Sequence, residues 1–249
     1  MILGLNTLAI GTKPPSFKPW TSPNCLGWWD AVLSAQTLSG SEVLTAASLR
    51  NPADVLARNT TGPALTAASV GGRAAWVGDG TAKTLIQTSF AFPAISNSPL
   101  SVVFVYWVGK GIASATGFNT IWSAGSGTTP RCLLGFSGAG ITCTNGVALT
   151  VTTGYTQGTP KRAVSLFSNQ STDRMQWGAA TTTGASGASA AQSGFSILSR
   201  NAAASTFANA AWSCGGVFTA PSATAADQLI AKLDAYCSTL FTGWAGFVS

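Results

Sequence analysis

The chain has 249 residues, of which 46% are hydrophobic and 10% aromatic but only 8% charged. A typical soluble domain carries about 25% charged residues, so Gly, Ala, Ser and Thr take the place of charge here, and nine Trp with twelve Phe exclude a disordered chain. Thirteen basic against seven acidic residues give a net charge of +6. Only Lys161 and Arg162 are adjacent, and a nucleic-acid binder would gather its charge into a stripe. No apolar run approaches the roughly 18 residues of a membrane span, and Met1–Leu5 followed by Lys13-Pro14-Pro15 does not read as a signal peptide. The expected partners therefore include neither nucleic acid nor membrane.

In chain order, residues 1–24 read as an extended N-terminal arm. Pro14, Pro15, Pro19 and Pro23 deny it sheet or helix. It is too apolar for a free tail, and Leu5, Leu8, Ile10, Phe17 and Trp20 are the candidate partner-binding residues, with a neighbouring subunit as the expected partner. Residues 25–249 read as one domain of short β-type runs separated by turn residues. The runs begin at Leu26–Asp30 and Ala74–Val77, the latter followed by the Gly78-Asp79-Gly80 turn and by Thr84–Gln87. Ser101–Val108, β-branched and aromatic almost throughout, predicts a central strand buried on both faces. Further strands are expected at Thr120–Ser123, Arg131–Phe136, Ile141–Thr144, Val147–Thr152, Ala163–Phe167, Arg174–Trp177, Phe195–Leu198 and Ala210–Phe218. The low-complexity stretch 179–194 predicts a surface loop.

Residues 222–241 predict the one helix, with Thr224 and Asp227 as a capping box. Leu229, Ile230, Leu233, Tyr236, Cys237, Leu240 and Phe241 form its apolar stripe, and Gly243 is the expected stop. Trp244 and Phe247 then offer an apolar tail to anchor on the sandwich.

Four passages carry a family resemblance. Leu26-Gly27-Trp28-Trp29-Asp30-Ala31 resembles an opening W-x-D-A strand, and Gly72 to Gly80 resembles a G-x-P-A-hydrophobic-x-F-x-G passage before the strand at Leu85-Ile86. Leu100–Val108 is similar to an F-T-V-F-x-V strand, and Pro221–Phe241 to a closing helix. Over residues 26–241 this order resembles the concanavalin A-like lectin/glucanase jelly rolls, and within them the laminin G-like branch found in bacteriophage structural proteins. The resemblance implies an all-β, two-sheet antiparallel jelly-roll sandwich with one C-terminal helix.

Glucanase members of that superfamily use an E-x-D-x-x-E carboxylate pair, as glycoside hydrolysis requires. Here Glu42 is the only Glu, and Asp30, Asp54, Asp79, Asp173, Asp227 and Asp234 are spread along the chain. The absence of His excludes Ser-His-Asp and Cys-His centres, and neither Gly71-Gly72 nor Gly215-Gly216 has the sequence of a phosphate loop. The expectation is a chain that is not an enzyme. No cofactor is expected. Calcium is the exception to weigh, with Asp79 and Asp173 as candidate ligands, and for Asp79 turn chemistry outweighs it.

The five Cys have no C-x-x-C pair and read as buried thiols, although Cys132 and Cys143 flank a turn and could face each other. Trp28, Trp29, Trp76, Trp107, Trp122, Trp177 and Trp212 sit in strand contexts, where core packing is the default and sugar stacking the alternative. The first expectation for function is a non-enzymatic bacteriophage virion protein: a capsid decoration, head-fibre or tail-appendage subunit. It would reside in the virion, attached through its arm to other virion proteins or to copies of itself. The second is a glycan-binding adhesin for a host surface, and the third a depolymerase.

Overall fold

A computed structural model describes residues 17–95, 102–112, 119–125, 132–137, 140–168, 172–187, 189, 191–200 and 207–249. Its strands are β1 Cys25–Asp30, β2 Gln36–Ser39, β3 Glu42–Ala47, β4 Val55–Arg58, β5 Ala64–Val70, β6 Arg73–Val77, β7 Leu85–Phe92, β8 Val102–Gly111 and β9 Asn119–Ala124. They continue as β10 Cys132–Ser137, β11 Gly140–Thr144, β12 Ala148–Val151, β13 Lys161–Phe167, β14 Asp173–Trp177, β15 Ala180–Gly184, β16 Gln192–Ile197 and β17 Ala210–Ala220. Helix α1 spans Ala223–Cys237 and a short α2 spans Ala245–Val248. All strand ladders are antiparallel, and the hydrogen bonding wraps them into an almost closed sandwich.

One layer, the back sheet, runs β15-β14-β13-β8-β17 and continues to β1 and β6, both of which pair with β17. The other, the front sheet, runs β3-β4-β7-β16-β9-β10-β11-β12. Strand β8 is buried on both faces, as its apolar run predicts. Val103, Val105 and Trp107 point into the space between the sheets, whereas Phe104, Tyr106 and Val108 point to the opposite side, beneath α1. The molecule is therefore three layers deep: helix, back sheet, front sheet.

All seven strand tryptophans are at most 2% exposed. Gly215 and Gly216, in mid-β17, make room for two of them. A side chain on Gly215 would collide with the Trp212 ring and the Tyr106 carbonyl, and one on Gly216 with Trp28 and the Gly27 carbonyl. The pair serves indole packing within a strand.

Asp30 and Arg73 join the first two motif passages. The Asp30 side chain has no exposed surface, and Arg73 Nη2 donates to its Oδ1 at 2.6 Å and its Oδ2 at 2.7 Å. Asp30 Oδ1 also accepts from the backbone N–H of Val32 and Leu33, closing the turn after β1. The guanidinium lies 5.7 Å from the Phe241 ring centre. Burial alone would lower the Arg73 pKa, but Asp30 outweighs it and holds the guanidinium above its ordinary value.

Helix α1 docks through Ala226, Leu229, Ile230, Leu233, Tyr236 and Cys237. Its cap is Ser222, whose side chain accepts from the Ala225 N–H, so the Thr224–Asp227 capping box is corrected. The hydroxyl two residues upstream already occupies the cap position, and the helix begins there. It also ends earlier than predicted, at Cys237. Gly243, at a φ of +73°, instead precedes α2, where Phe241, Trp244 and Phe247 stack on one another. Under α1, Tyr106 donates to Asp234 Oδ1 at 2.8 Å, and Arg162 Nε lies 3.6 Å from the same oxygen.

The loop expected at 179–194 is corrected at its two ends: Ala180–Gly184 form β15 and Gln192 opens β16, because alternation of Thr with small residues suffices for a strand paired along β14. Strands β2 to β5 are likewise polar or Ala-rich and carry no apolar run to announce them. All five cysteines are free and buried. Cys143 is paired with Leu134, so Cys132 lies diagonally from it, a spacing of about 7–8 Å in an antiparallel ladder.

Three outcomes follow. Asp30→Asn should destabilise the fold by about 3–5 kcal/mol, the cost of stranding one partner of a buried ion pair, read from urea unfolding. None of the five thiols should react with a thiol reagent at pH 8 in the native state, and all five should react in denaturant. Burial pushes Cys25 and Cys143 up to about 12, which reinforces that protection. Burial also raises the Asp234 carboxyl above its ordinary value. A raised carboxyl contributes stability that is full below its unfolded value and is lost as pH rises through the folded one. The penalty of Asp234→Asn should therefore be smaller at pH 7 than at pH 3.

Candidate binding face on the front sheet

Helix α1 covers the middle of the back sheet's outer side, and the outer face of the front sheet carries no helix, so that face is the candidate ligand surface. Six neighbouring strands there, β7, β16, β9, β10, β11 and β12, contain not one Asp, Glu, Lys or Arg. Their inward residues, such as Leu85, Phe195, Ile197, Trp122, Leu134, Cys143 and Leu149, fill the core. With a period of two, the residues between them must face outward.

Those outward residues line up in rows. One row pairs Thr120 with Gly135, Gly135 with Thr142 and Thr142 with Thr150. The next runs Ile86, Ser196, Ser123, Leu133, Thr144 and Ala148. The Thr142 and Thr150 hydroxyls are 2.8 Å apart and exposed, and Thr182 of β15 donates to the Thr150 carbonyl at 2.8 Å. Beside them, Val151, Thr152, Thr153, Ala180, Thr181 and Thr182 line a cleft of about 260 Å³.

The other end of the face is closed. The Ser123 and Ser196 hydroxyls lie 2.7 Å apart and both within hydrogen-bonding distance of the Ser199 carbonyl, so one donates to the other and the second to the carbonyl, and Thr84 bonds to the Ser199 side chain. Leu198 turns the chain back over this cluster at a φ of +65°, and its N–H donates to the Ile121 carbonyl at 2.6 Å. A non-glycine residue held there costs about 1–3 kcal/mol, a strain that the surrounding hydrogen bonds must sustain.

Every carboxylate has a partner elsewhere. Glu42 accepts from the Gly62 N–H and from Arg58, and those two bonds lower its pKa. Asp54 accepts from Gln87, Asp227 pairs with Arg174, and Asp234 takes the Tyr106 hydroxyl. Asp79, a calcium candidate, accepts from the Thr81 N–H and hydroxyl and the Ala82 N–H, the Asx-turn chemistry expected of it. The other candidate, Asp173, is buried and binds Ser168 and Ser186 through both of its oxygens. The acids a depolymerase would gather on this face are on other elements. The strand tryptophans are also withheld in the core, as the default reading expected, so none of them is offered for stacking on a sugar.

Among the arm residues, Leu5, Leu8 and Ile10 lie outside the described residues. Phe17 and Trp20 pack half-buried against the chain's own helix layer, with Trp20 edge-on to Tyr236 at 6.0 Å. The threonine rows were missed by a search for acids, His and Trp. Their signal was present as the T-x-T spacing of Thr142/Thr144, Thr150/Thr152 and Thr181/Thr183 in strand contexts.

No family model matches the sequence, and no curated protein does either. Solved structures do resemble the fold. Trypanosoma rangeli sialidase in complex with the inhibitor DANA matches with a TM-score of 0.51 at 11% identity, covering 77% of this chain and 30% of that one. An arabinofuranosidase complexed with arabinofuranosyl-α-1,2-xylobiose matches with a TM-score of 0.51 at 11% identity, covering 83% and 51%. This chain thus spans about a third to a half of the proteins it resembles. At such identity the likeness establishes a fold, the concanavalin A-like sandwich, and not its laminin G-like branch. It also corrects the expectation of a chain that is not an enzyme. The same sandwich occurs within glycan-processing enzymes, so neither the fold nor the missing His and E-x-D-x-x-E pattern removes this chain from that chemistry.

Proposed function

We propose that the chain is a carbohydrate-binding sandwich whose front-sheet face takes neutral glycans. The observation that carries this reading is the run of six strands without a charged residue, whose solvent-facing end presents the Thr142 and Thr150 hydroxyls beside an open cleft. A hydroxyl both donates and accepts, as sugar hydroxyls do. A wall without charge offers no counter-ion to a uronate or sulfate, so uncharged sugars are its natural ligands. Two proteins that resemble the fold, a sialidase and an arabinofuranosidase, act on glycans, which adds support by analogy of fold alone.

A second reading has its own observation. Phe17 and Trp20 bring the arm onto α1, beside an open groove. We propose as this second reading a laminin G-like subunit of a bacteriophage virion, a capsid decoration, head-fibre or tail-appendage protein held by residues 1–24, which rests on the sequence resemblance, with the groove as a seat for an arm. The two readings are compatible, since an anchored subunit leaves the front face outward.

The test is a glycan array probed with the full chain, scored for binding and for release of reducing ends. Neutral oligosaccharides should bind in preference to polyanionic ones. Thr142→Val with Thr150→Val should weaken binding about tenfold or more, on the basis of roughly 0.5–1.5 kcal/mol for each hydrogen bond lost, with little change in stability. An array without hits, or hits indifferent to both substitutions, would contradict the proposal.

A further inference from the structure

Strand β15 lies between two open clefts. The first, of about 260 Å³, is the one beside Thr150, and Thr181 and Thr182 line it. The second, of about 300 Å³, is lined by Thr172 at the entry to β14, Arg174 of β14, Thr183 of β15, and Ala223 and Asp227 of α1. Thr181 and Thr183 are exposed and flank Thr182, so they project from the same face of β15, roughly 7 Å apart. One belongs to each cleft, and together they form a hydroxyl track from the end of the front face to the helix layer.

The second cleft holds charged groups that the first lacks. Arg174 Nη2 donates to Asp227 Oδ1 and so joins β14 to α1, while the two side chains remain 19% and 50% exposed. A guanidinium carries five N–H donors and a carboxylate two acceptor oxygens. Among the described residues this one contact is all that engages either group, so donors and an acceptor stand side by side in the cleft. Opposite charges in contact cancel at a distance, and the cleft therefore gives neither an anion nor a cation a net attraction. A sugar diol matches it: one hydroxyl accepts from Arg174, its neighbour donates to Asp227, and the Thr183 hydroxyl can do either. An ion pair this exposed adds little to stability, so substituting it probes binding without unfolding the chain.

We infer that the Arg174/Asp227 cleft is a second carbohydrate subsite, and that a neutral oligosaccharide runs from the Thr150/Thr182 cleft across β15 into it. The inference rests on the front-face reading and adds to it the length of the ligand, which must be enough to occupy both clefts.

The experiment is calorimetric titration of the full chain with size-graded neutral oligosaccharides, from disaccharide to octasaccharide, of the repeat bound most tightly on the array. Affinity should rise about tenfold once the oligosaccharide is long enough to leave the first cleft, the worth of two further hydrogen bonds. Arg174→Met and Thr183→Val, each verified as folded by urea unfolding, should each cut that gain by about threefold and together abolish it. Thr142→Val with Thr150→Val should instead weaken binding at every length. Affinity that does not change with length, or a gain that survives both substitutions, would overturn the inference and leave the front-face reading standing. No binding at any length would overturn both.

Discussion

The buried pair of Asp30 and Arg73 sets the geometry on which the rest of the sandwich depends. The carboxylate closes the turn that leads from β1 towards β2 and clamps the guanidinium at the start of β6. Arg73 in turn carries the Phe241 ring on its cation, so the chain after α1 is drawn to the same point. Two charges out of water are a cost that only good geometry offsets. Here both carboxylate oxygens are engaged, and Asp30 keeps its partner charged. The pair fixes the β1 edge against β17 and the position of the helix layer with a single constraint.

The helix layer covers the middle of the back sheet's outer face. Trp28, Phe104, Tyr106 and Phe218 serve α1, while Trp29, Trp107 and Trp212 serve the space between the sheets. The front sheet is different. Its inner face is as apolar as any core, and the outer face of β7, β16 and β9 to β12 carries Thr, Ser, Gly and Ala with Ile86 and Leu133 among them. The part of that face open to a ligand, at Thr142 and Thr150, has no cation, carboxylate or exposed indole among its strand residues. Such a face selects by hydrogen bonding and shape, not by charge or stacking.

The fold was legible where side chains carry strong signals. The β8 run announced a strand buried twice over, and the stripe from Leu229 to Cys237 announced a helix. It was illegible where threonine and alanine build strands, in β2 to β5 and in β15, because their burial comes from neighbours in the sheet and not from their own hydrophobicity. The site was harder still. Catalytic chemistry is sought through acids, histidines and metal ligands, and tryptophan through its ring, but every acid here is committed to structure and every strand tryptophan to the core. The signal that mattered was alternation: Thr142 and Thr144 beside Ile141 and Cys143, Thr150 beside Leu149 and Val151. Without the register that sets Thr142 against Thr150, those residues look like ordinary strand filler. The absence of catalytic motifs was visible, but the inference drawn from it went too far, since the sandwich is shared with parts of glycan-processing enzymes.

The central claim, that the uncharged front face is the ligand surface, is tested most directly by nuclear magnetic resonance with threonine methyls labelled. A neutral oligosaccharide selected by the array would be titrated into the full chain. The account predicts that shifts concentrate at Thr142, Thr150, Thr152 and Thr182 and saturate with a single affinity. Shifts confined to the helix layer, or the absence of shifts at those four methyls when binding is saturated, would contradict it.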